Sequence, residues 1–263
     1  MKKLYAFYFS GTGNTKFVAE RLCAKLSGTY KTAAYDIAAA DCAAALAEAD
    51  IIMLAYPIYG SCPPVPMRRF VYANKQRFNN REVIIAVTQY MFSGDGAASL
   101  GRTVEKFGGK VVYAEHFNMP NNICDMKILK IRNGEELRET VSKAEKRMDA
   151  FVAKIISGKP FRRGFNVASH AVGYYCQRKF FRKGEPEKKS KLKIDAGKCL
   201  GCCKCVKQCP VHNIVIDDGK AVPRGDCALC YRCVNNCPVK AITLFGSAPP
   251  QTQYKGIEIK GSG

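Results

Sequence analysis

Five cysteines fall in the eleven residues from Cys199 to Cys209, in the stretch CLGCCKCVKQCP, and CALCYRCVNNCP, Cys227 to Pro238, repeats most of it. The shared spacing is Cys-x2-Cys-x2-Cys-x3-Cys-Pro, carried by Cys199, Cys202, Cys205 and Cys209 and again by Cys227, Cys230, Cys233 and Cys237. Three thiolates at two-residue gaps can wrap one face of a compact iron-sulfur cube, while the fourth, turned away by the longer gap and the proline, reaches a different one. Zinc also binds paired Cys-x2-Cys elements, but four thiolates saturate one zinc ion and the third cysteine of each run would be surplus. A disulfide framework needs an exported chain, and MKKLYAFYFSGTGNT turns glycine-rich after a few apolar residues, with no cleavage site. Cys203 fits neither frame and is expected to sit beside the first cluster as a bystander.

The rest of the chain must be arranged around such a module, and 263 residues suit two domains. No window approaches the apolar run of a membrane-spanning helix, so a soluble chain is expected. Fourteen cysteines without an export signal point to a reducing, oxygen-poor cytoplasm. The formal charge of +20 falls to about +16 once eight thiolates are set against two cube cores of charge 2+. Between Lys159 and Lys193, eleven Lys or Arg meet only two acids, Glu185 and Glu187. Such a surface attracts acidic partners, anionic lipid or nucleic acid.

Towards the N-terminus, KKLYAFYF is a short apolar run of the buried-strand kind, followed by SGTGNT and a helical pattern in Val18, Leu22 and Leu26 that Gly28 stops. Further apolar runs follow at Ile51 to Tyr56, Val83 to Thr88 and Val111 to Phe117, with helical stretches between them. This alternation predicts a parallel sheet covered on both faces. In the last helix, Asn133 and Glu136 have the spacing of a capping pair, and Leu137, Val141, Ala144, Met148, Phe151 and Ile155 form one apolar stripe, ended by Gly158 and Pro160.

The loop Ser10-Gly11-Thr12-Gly13-Asn14-Thr15 joins the first strand to the first helix, where backbone N–H groups and short hydroxyls can surround a phosphate. The dinucleotide fingerprint needs glycine where this chain has Lys16, and the Gly-Lys-Ser/Thr of a nucleoside-triphosphate loop is absent. Hydroxyl-rich, lysine-independent chemistry suits the monophosphate of FMN.

This loop resembles the phosphate loop of flavodoxins, and the C-terminal runs resemble bacterial two-cluster ferredoxins. Together they are similar to the flavodoxin-ferredoxin fusion proteins of anaerobic bacteria and archaea, over most of the chain. The resemblance implies an α/β fold: a flavodoxin-like, doubly wound parallel five-stranded sheet with a small C-terminal α+β ferredoxin domain. It implies an FMN-binding domain over 1–158, a basic aromatic connecting segment and linker over 159–193, a 2[4Fe-4S] domain over 194–246 and a tail over 247–263. One cluster would take Cys199, Cys202, Cys205 and Cys237, and the other Cys227, Cys230, Cys233 and Cys209. The flavin ring would lie against the loops after the third and fourth strands. Here these are Tyr56-Pro57-Ile58-Tyr59-Gly60 and Thr88-Gln89-Tyr90-Met91-Phe92-Ser93-Gly94-Asp95-Gly96, with Tyr59 and Tyr90 or Phe92 as stacking candidates unless they cap the core. Met119-Pro120-Asn121-Asn122 resembles a Met-Pro-x-Asn element of the fusion family. Many flavodoxins are acidic around the flavin, whereas this chain is basic, and a positive field favours an anionic reduced flavin.

Phe161 to Gly184 interleaves aromatics with cations and reads as a connecting helix packed between domains, or else as a surface for membrane or RNA. His116, His170 and His212 form no constellation. Cys23, Cys42, Cys62, Cys124 and Cys176 read as small buried groups. With no catalytic acid, base or nucleophile in view, the expected function is electron transfer between FMN and two [4Fe-4S] clusters, with soluble acidic redox proteins as partners. The alternatives are a flavin-dependent reductase of a small substrate and a redox-sensing binding module.

Overall fold

The computed structural model describes residues 1–38 and 42–257. The last six positions of the expected 247–263 tail lie outside the described residues. Strands β1 (Lys3–Tyr8), β2 (Lys31–Asp36), β3 (Ile51–Pro57), β4 (Glu82–Gln89) and β5 (Lys110–Asn118) alternate with helices α1 (Asn14–Leu26), α2 (Ala43–Glu48), α3 (Val65–Ala73) and α4 (Gly96–Lys106). The sheet order is β2-β1-β3-β4-β5-β6, and every pairing is parallel. Strand order reverses between β1 and β3, so the loops leaving their carboxyl ends part and open a crevice.

Five strands were expected, and among the described residues the sheet has six. After α5 (Gly134–Ile156) the chain turns at Gly158, φ +70°, and β6 (Phe161–Arg162) pairs Tyr113 and Ala114 on the free edge of β5. The capping pair does not form either. Asn133 makes no side-chain cap bond and Glu136 instead accepts from Lys130 Nζ at 2.7 Å, because Gly134, φ +53°, turns the first residue of the helix away.

Both faces of the sheet are buried, as parallel strands require. Phe17, Val18, Leu22 and Leu26 of α1 and Ala144, Met148, Phe151 and Ile155 of α5 cover one face. Leu46, Met67, Val71, Leu100 and Val104 from α2, α3 and α4 cover the other. Leu137, the start of the α5 stripe, packs on a third cluster built around the cysteine runs.

Three consecutive helical segments follow β6: α6 (Val167–Ala171), a π-helical turn (Val172–Arg178) and α7 (Lys179–Lys183). They bury only Gly173 and Arg178 fully, so Cys176 is exposed, against the expectation that it packs inside. Cys23, Cys42, Cys62 and Cys124 are buried. After α8 (Glu185–Lys189), β7 (Lys193–Ile194) pairs antiparallel with β10 (Ile242–Thr243) around the cysteine runs. Between those two strands lie α9 (Lys204–Gln208), the hairpin β8 (Ile214–Asp217) and β9 (Lys220–Pro223), and α10 (Arg232–Asn236). No described helix is long and apolar enough to cross a membrane.

His116 on β5 is only 2% exposed; its Nε2 accepts from the Ala97 N–H at 3.3 Å, and Nδ1 has no partner among the described residues. Burial, with Arg163 and Arg147 adding, pushes its pKa down from 6.5 to about 4. The unfolded chain therefore takes up this proton first as pH falls. The resulting stability is fully present above pH 6.5 and is lost towards pH 4, by about 3 kcal/mol. Urea unfolding across that window is expected to show the loss in the wild type and not in His116→Gln.

Candidate functional site

The glycine loop between β1 and α1 sits at the N-terminus of a 13-residue helix, whose first N–H groups lack intrahelical acceptors. Ser10 Oγ accepts from the Gly13 N–H at 3.1 Å, and Gly13 takes φ +99°. Thr15 and Thr88 share a buried hydroxyl contact at 2.7 Å, joining the loop to the end of β4. Asn14 Nδ2 donates to the Pro120 carbonyl at 2.8 Å, and Asn122 Nδ2 donates to Thr12 Oγ1 at 2.9 Å. The Met119 to Asn122 element thus ties to the loop directly.

A cavity of about 240 Å³ opens beside it. Of the residues expected to hold a flavin, Ser10, Gly11, Thr12, Asn14, Thr15, Pro57, Ile58, Tyr59, Gly60, Thr88, Gln89 and Tyr90 line this cavity. Gly13 lies in the same loop and lines a second cleft of about 310 Å³ on its outer side, with Lys16, Arg232 and Lys255. Tyr59 and Gly60, φ +54°, form a tight turn closed by the Tyr59 and Cys62 N–H groups and carbonyls, 3.0 Å each way. Burial pushes the Tyr59 hydroxyl up, with the Cys230 and Cys227 thiols adding, so this phenol faces the second cysteine run.

Phe92, Gly94 and Asp95 are placed elsewhere. The loop after β4 turns outward over β5, where Asn118 Nδ2 donates to the Met91 carbonyl at 2.6 Å and Ser93 Oγ to Gln89 Oε1 at 2.8 Å. Phe92 is consequently 61% exposed. A Cβ on Gly94 would lie 2.4 Å from the Gly173 nitrogen, so Gly94 is a close-approach point for the π-helical turn. Asp95, fully buried, accepts from Arg178 at 2.7 and 2.9 Å, from Arg102 and from His170 Nδ1 at 2.9 Å. Burial alone would push its carboxyl up, and the bonds from Arg178, His170 and Arg102 together hold it below its usual value. This node pins the 167–183 helix, which places Phe181 against Gly60 and in the cavity wall.

The rest of the wall comes from Met119 to Asn122 and from residues that sequence reasoning passed over: Ile123, Leu229, Tyr231 and Phe245. Tyr231 OH donates to the buried Asp125 at 2.7 Å, and Asp125 also accepts from the Leu244 and Phe245 N–H groups at 2.6 and 3.1 Å. The signal available was position, since Leu229 and Tyr231 flank Cys230.

The cysteines fall into two spatial sets. Cys199, Cys202, Cys205 and Cys237 line one small cavity together with Cys203. Burial pushes Cys205 up, with Cys199 and Cys202 adding. In the other set, burial pushes Cys227 up to about 12, with Cys230 and Cys209 adding; Cys233 is raised by burial and then by Cys230, Cys227 and Cys209. Thiols crowded and buried this way ionise only against a positive charge. Backbone N–H groups already point at four of the sulfurs, from Leu229 to Cys227, Asn213 to Cys209, Ala241 to Cys237 and Ala221 to Cys199, at 3.2 to 3.5 Å. Among the described residues, no three His, Cys, Asp or Glu side chains converge to hold a single metal ion.

Residues 5–161 match the model of a flavodoxin domain. Solved structures of similar fold include a Fusobacterium nucleatum flavodoxin bound to flavin mononucleotide, 16% identical, covering 60% of this chain and 99% of its own, with TM-score 0.44. A flavodoxin from the Archaea is 12% identical over 59% of this chain and 99% of its own, TM-score 0.42. Oxidised flavodoxin 1 from Bacillus cereus is 18% identical over 58% and 98%, TM-score 0.41. No curated protein matches the chain. The domain model takes in more than half of the sequence and runs from within β1 past the end of β5, and the chain accordingly belongs to the flavodoxin domain family.

Proposed function

We propose that this is an electron-transfer protein holding FMN in the cavity at the β1, β3 and β4 ends and two [4Fe-4S] clusters on the cysteine runs. Residues 10–15 would hold the phosphate at the α1 N-terminus, and the 57–60 and 88–90 loops would border the ring. Cys199, Cys202, Cys205 and Cys237 would hold one cluster, and Cys209, Cys227, Cys230 and Cys233 the other. When bound, FMN exchanges electrons singly or in pairs and each cluster exchanges one, so the set converts between the two kinds of carrier. The division into a flavodoxin-like unit over 1–158, a connector over 159–193, a cluster unit over 194–246 and a tail from 247 belongs to the same proposal.

The observation that carries the reading is the position of Cys230. Its neighbours Leu229 and Tyr231 line the flavin cavity, while Cys202 of the other set is exposed. In this reading the three sites would run from the cavity to the more buried set of thiols and on to the set that includes the exposed Cys202, the order a relay needs. Partly buried Tyr59, Phe181 and Phe245 pack between the cavity and the cysteine runs. Acidic redox proteins would dock on the basic surface.

A second reading, reduction of a small substrate, is favoured by an open cleft of about 470 Å³ that adjoins the cavity at Tyr90 and Phe181 and is lined also by Phe92 and Phe180. Iron, sulfide and flavin analysis of protein purified without oxygen tests the main proposal: about eight iron, eight sulfide and one FMN per chain are expected. Full iron with no flavin after reconstitution would remove the flavin half, and iron near one per chain would remove the clusters.

A further inference from the structure

We infer that the segment from Cys230 to Asn235 is a structural part of the flavin phosphate site, so that FMN binds more tightly once the Cys209, Cys227, Cys230, Cys233 cluster is assembled and is indifferent to the other cluster. The inference rests on the flavin and cluster reading above.

Three contacts within six residues carry it. A Cβ on Gly11 would lie 2.0 Å from the Cys230 carbonyl oxygen, so the cluster segment's backbone is seated on the glycine loop. Arg232 donates from Nη2 to the Ser10 carbonyl at 2.6 Å, from Nε to the Gly11 carbonyl at 3.2 Å and from Nη1 to the Gln208 carbonyl at 3.0 Å. One guanidinium thus ties the loop to the residue before Cys209, a ligand of the same set as Cys230. Asn235 donates to the Asn122 carbonyl at 2.9 Å, and Asn122 holds Thr12; it also accepts from the Tyr254 N–H at 2.7 Å, and Tyr254 OH donates to Asn14 at 2.5 Å. Among the described residues, none of the eight cysteines hydrogen-bonds to residues 10–15; the set with Cys230 is singled out by its carbonyl seated on Gly11 and by Arg232, which bridges Ser10 and Gly11 to Gln208.

The cluster matters because this segment is poorly held by its own backbone. Leu229 and Tyr231 both take positive φ, +57° and +61°, a left-handed conformation that is strained for non-glycine residues. α10 is a five-residue helix and cannot enforce that turn by itself. Fixing the sulfurs of Cys227, Cys230 and Cys233 to one rigid core removes the relaxed alternatives, and Arg232 then stays where the loop needs it. A loop read as lysine-independent in sequence is braced by a cation from a position 221 residues away, which also lies 3.9 Å from the Asp36 carboxylate. Because binding linkage is reciprocal, FMN should in turn favour retention of that cluster.

The test uses the full chain, reconstituted without oxygen, with iron counted and dissociation constants measured for FMN and for riboflavin by fluorescence quenching. Cys230→Ala and Cys202→Ala are each expected to lose about half the iron, with FMN weakened about tenfold in the first and unchanged in the second. Arg232→Gln is expected to keep its iron and riboflavin affinity while losing about tenfold in FMN affinity, a phosphate-specific change that a general loss of structure would not give. Equal FMN constants in wild type and Arg232→Gln, or equal losses in the two cysteine variants, would overturn the coupling. Wild type that binds no FMN at all, with full iron, would overturn the flavin reading itself.

Discussion

A Gly11→Ala variant is expected to lose bound flavin on desalting and about 3 kcal/mol of stability. The added methyl would stand 2.0 Å from the Cys230 carbonyl oxygen, 2.9 Å from its carbon and 3.0 Å from its Cβ. Both sides of the contact are backbone, so no side chain can swing aside, and overpacking of this kind costs about 1–3 kcal/mol or more. Relief requires the 230–235 segment to lift off the loop, which takes Arg232 with it. Gly28→Ala supplies the control. Nothing lies within 4 Å of a Cβ there, and its φ is not in the left-handed region, so stability should change by less than about 1 kcal/mol. Flavin retention and a melting point equal to wild type in Gly11→Ala would show that the two halves do not meet at this point.

Asp95→Asn is expected to cost about 3–5 kcal/mol in urea unfolding, the range for breaking a buried charge pair from one side. Arg178 is 5% exposed and makes bidentate bonds at 2.7 and 2.9 Å to this carboxylate, so the substitution strands a buried cation. The damage should spread along the 167–183 helix, whose Phe181 forms part of the cavity wall. The sign with pH is fixed too. A carboxyl held below its usual value contributes stability that is present above pH 3.8 and is lost as pH falls through its folded value. The wild type should show that acid loss and the variant should not. Hydrogen exchange of residues 167–183 that stays as slow in Asp95→Asn as in the wild type would show that this helix is held by something else.

Much of the sheet was legible because β1, β3, β4 and β5 are buried on both faces and read as mainly apolar runs, broken in β5 only by Glu115 and His116. β2, KTAAYD, is an edge strand with no fully buried residue, so it carries no such run, and β6 is two residues long. The glycine loop and the cysteine spacing were legible because both are local patterns. The loop after β4 was legible only as far as Tyr90. Its second half is decided by Arg178, 83 residues further on, and no local pattern records that. Four residues of the cavity wall were invisible for the same reason: Phe181, Leu229, Tyr231 and Phe245 reach it only once the chain has folded back on itself.

That fold-back also sets an order in time. Loop closure grows more costly with separation, and Arg232 meets Gly11 across 221 residues, whereas β1 to β5 can assemble from residues 3–118. At about 5–20 residues per second, synthesis leaves roughly ten to forty seconds between the two partners of that contact. Throughout that interval the glycine loop can stand on a finished sheet without its brace. The first functional loop to be made is thus the last to be completed.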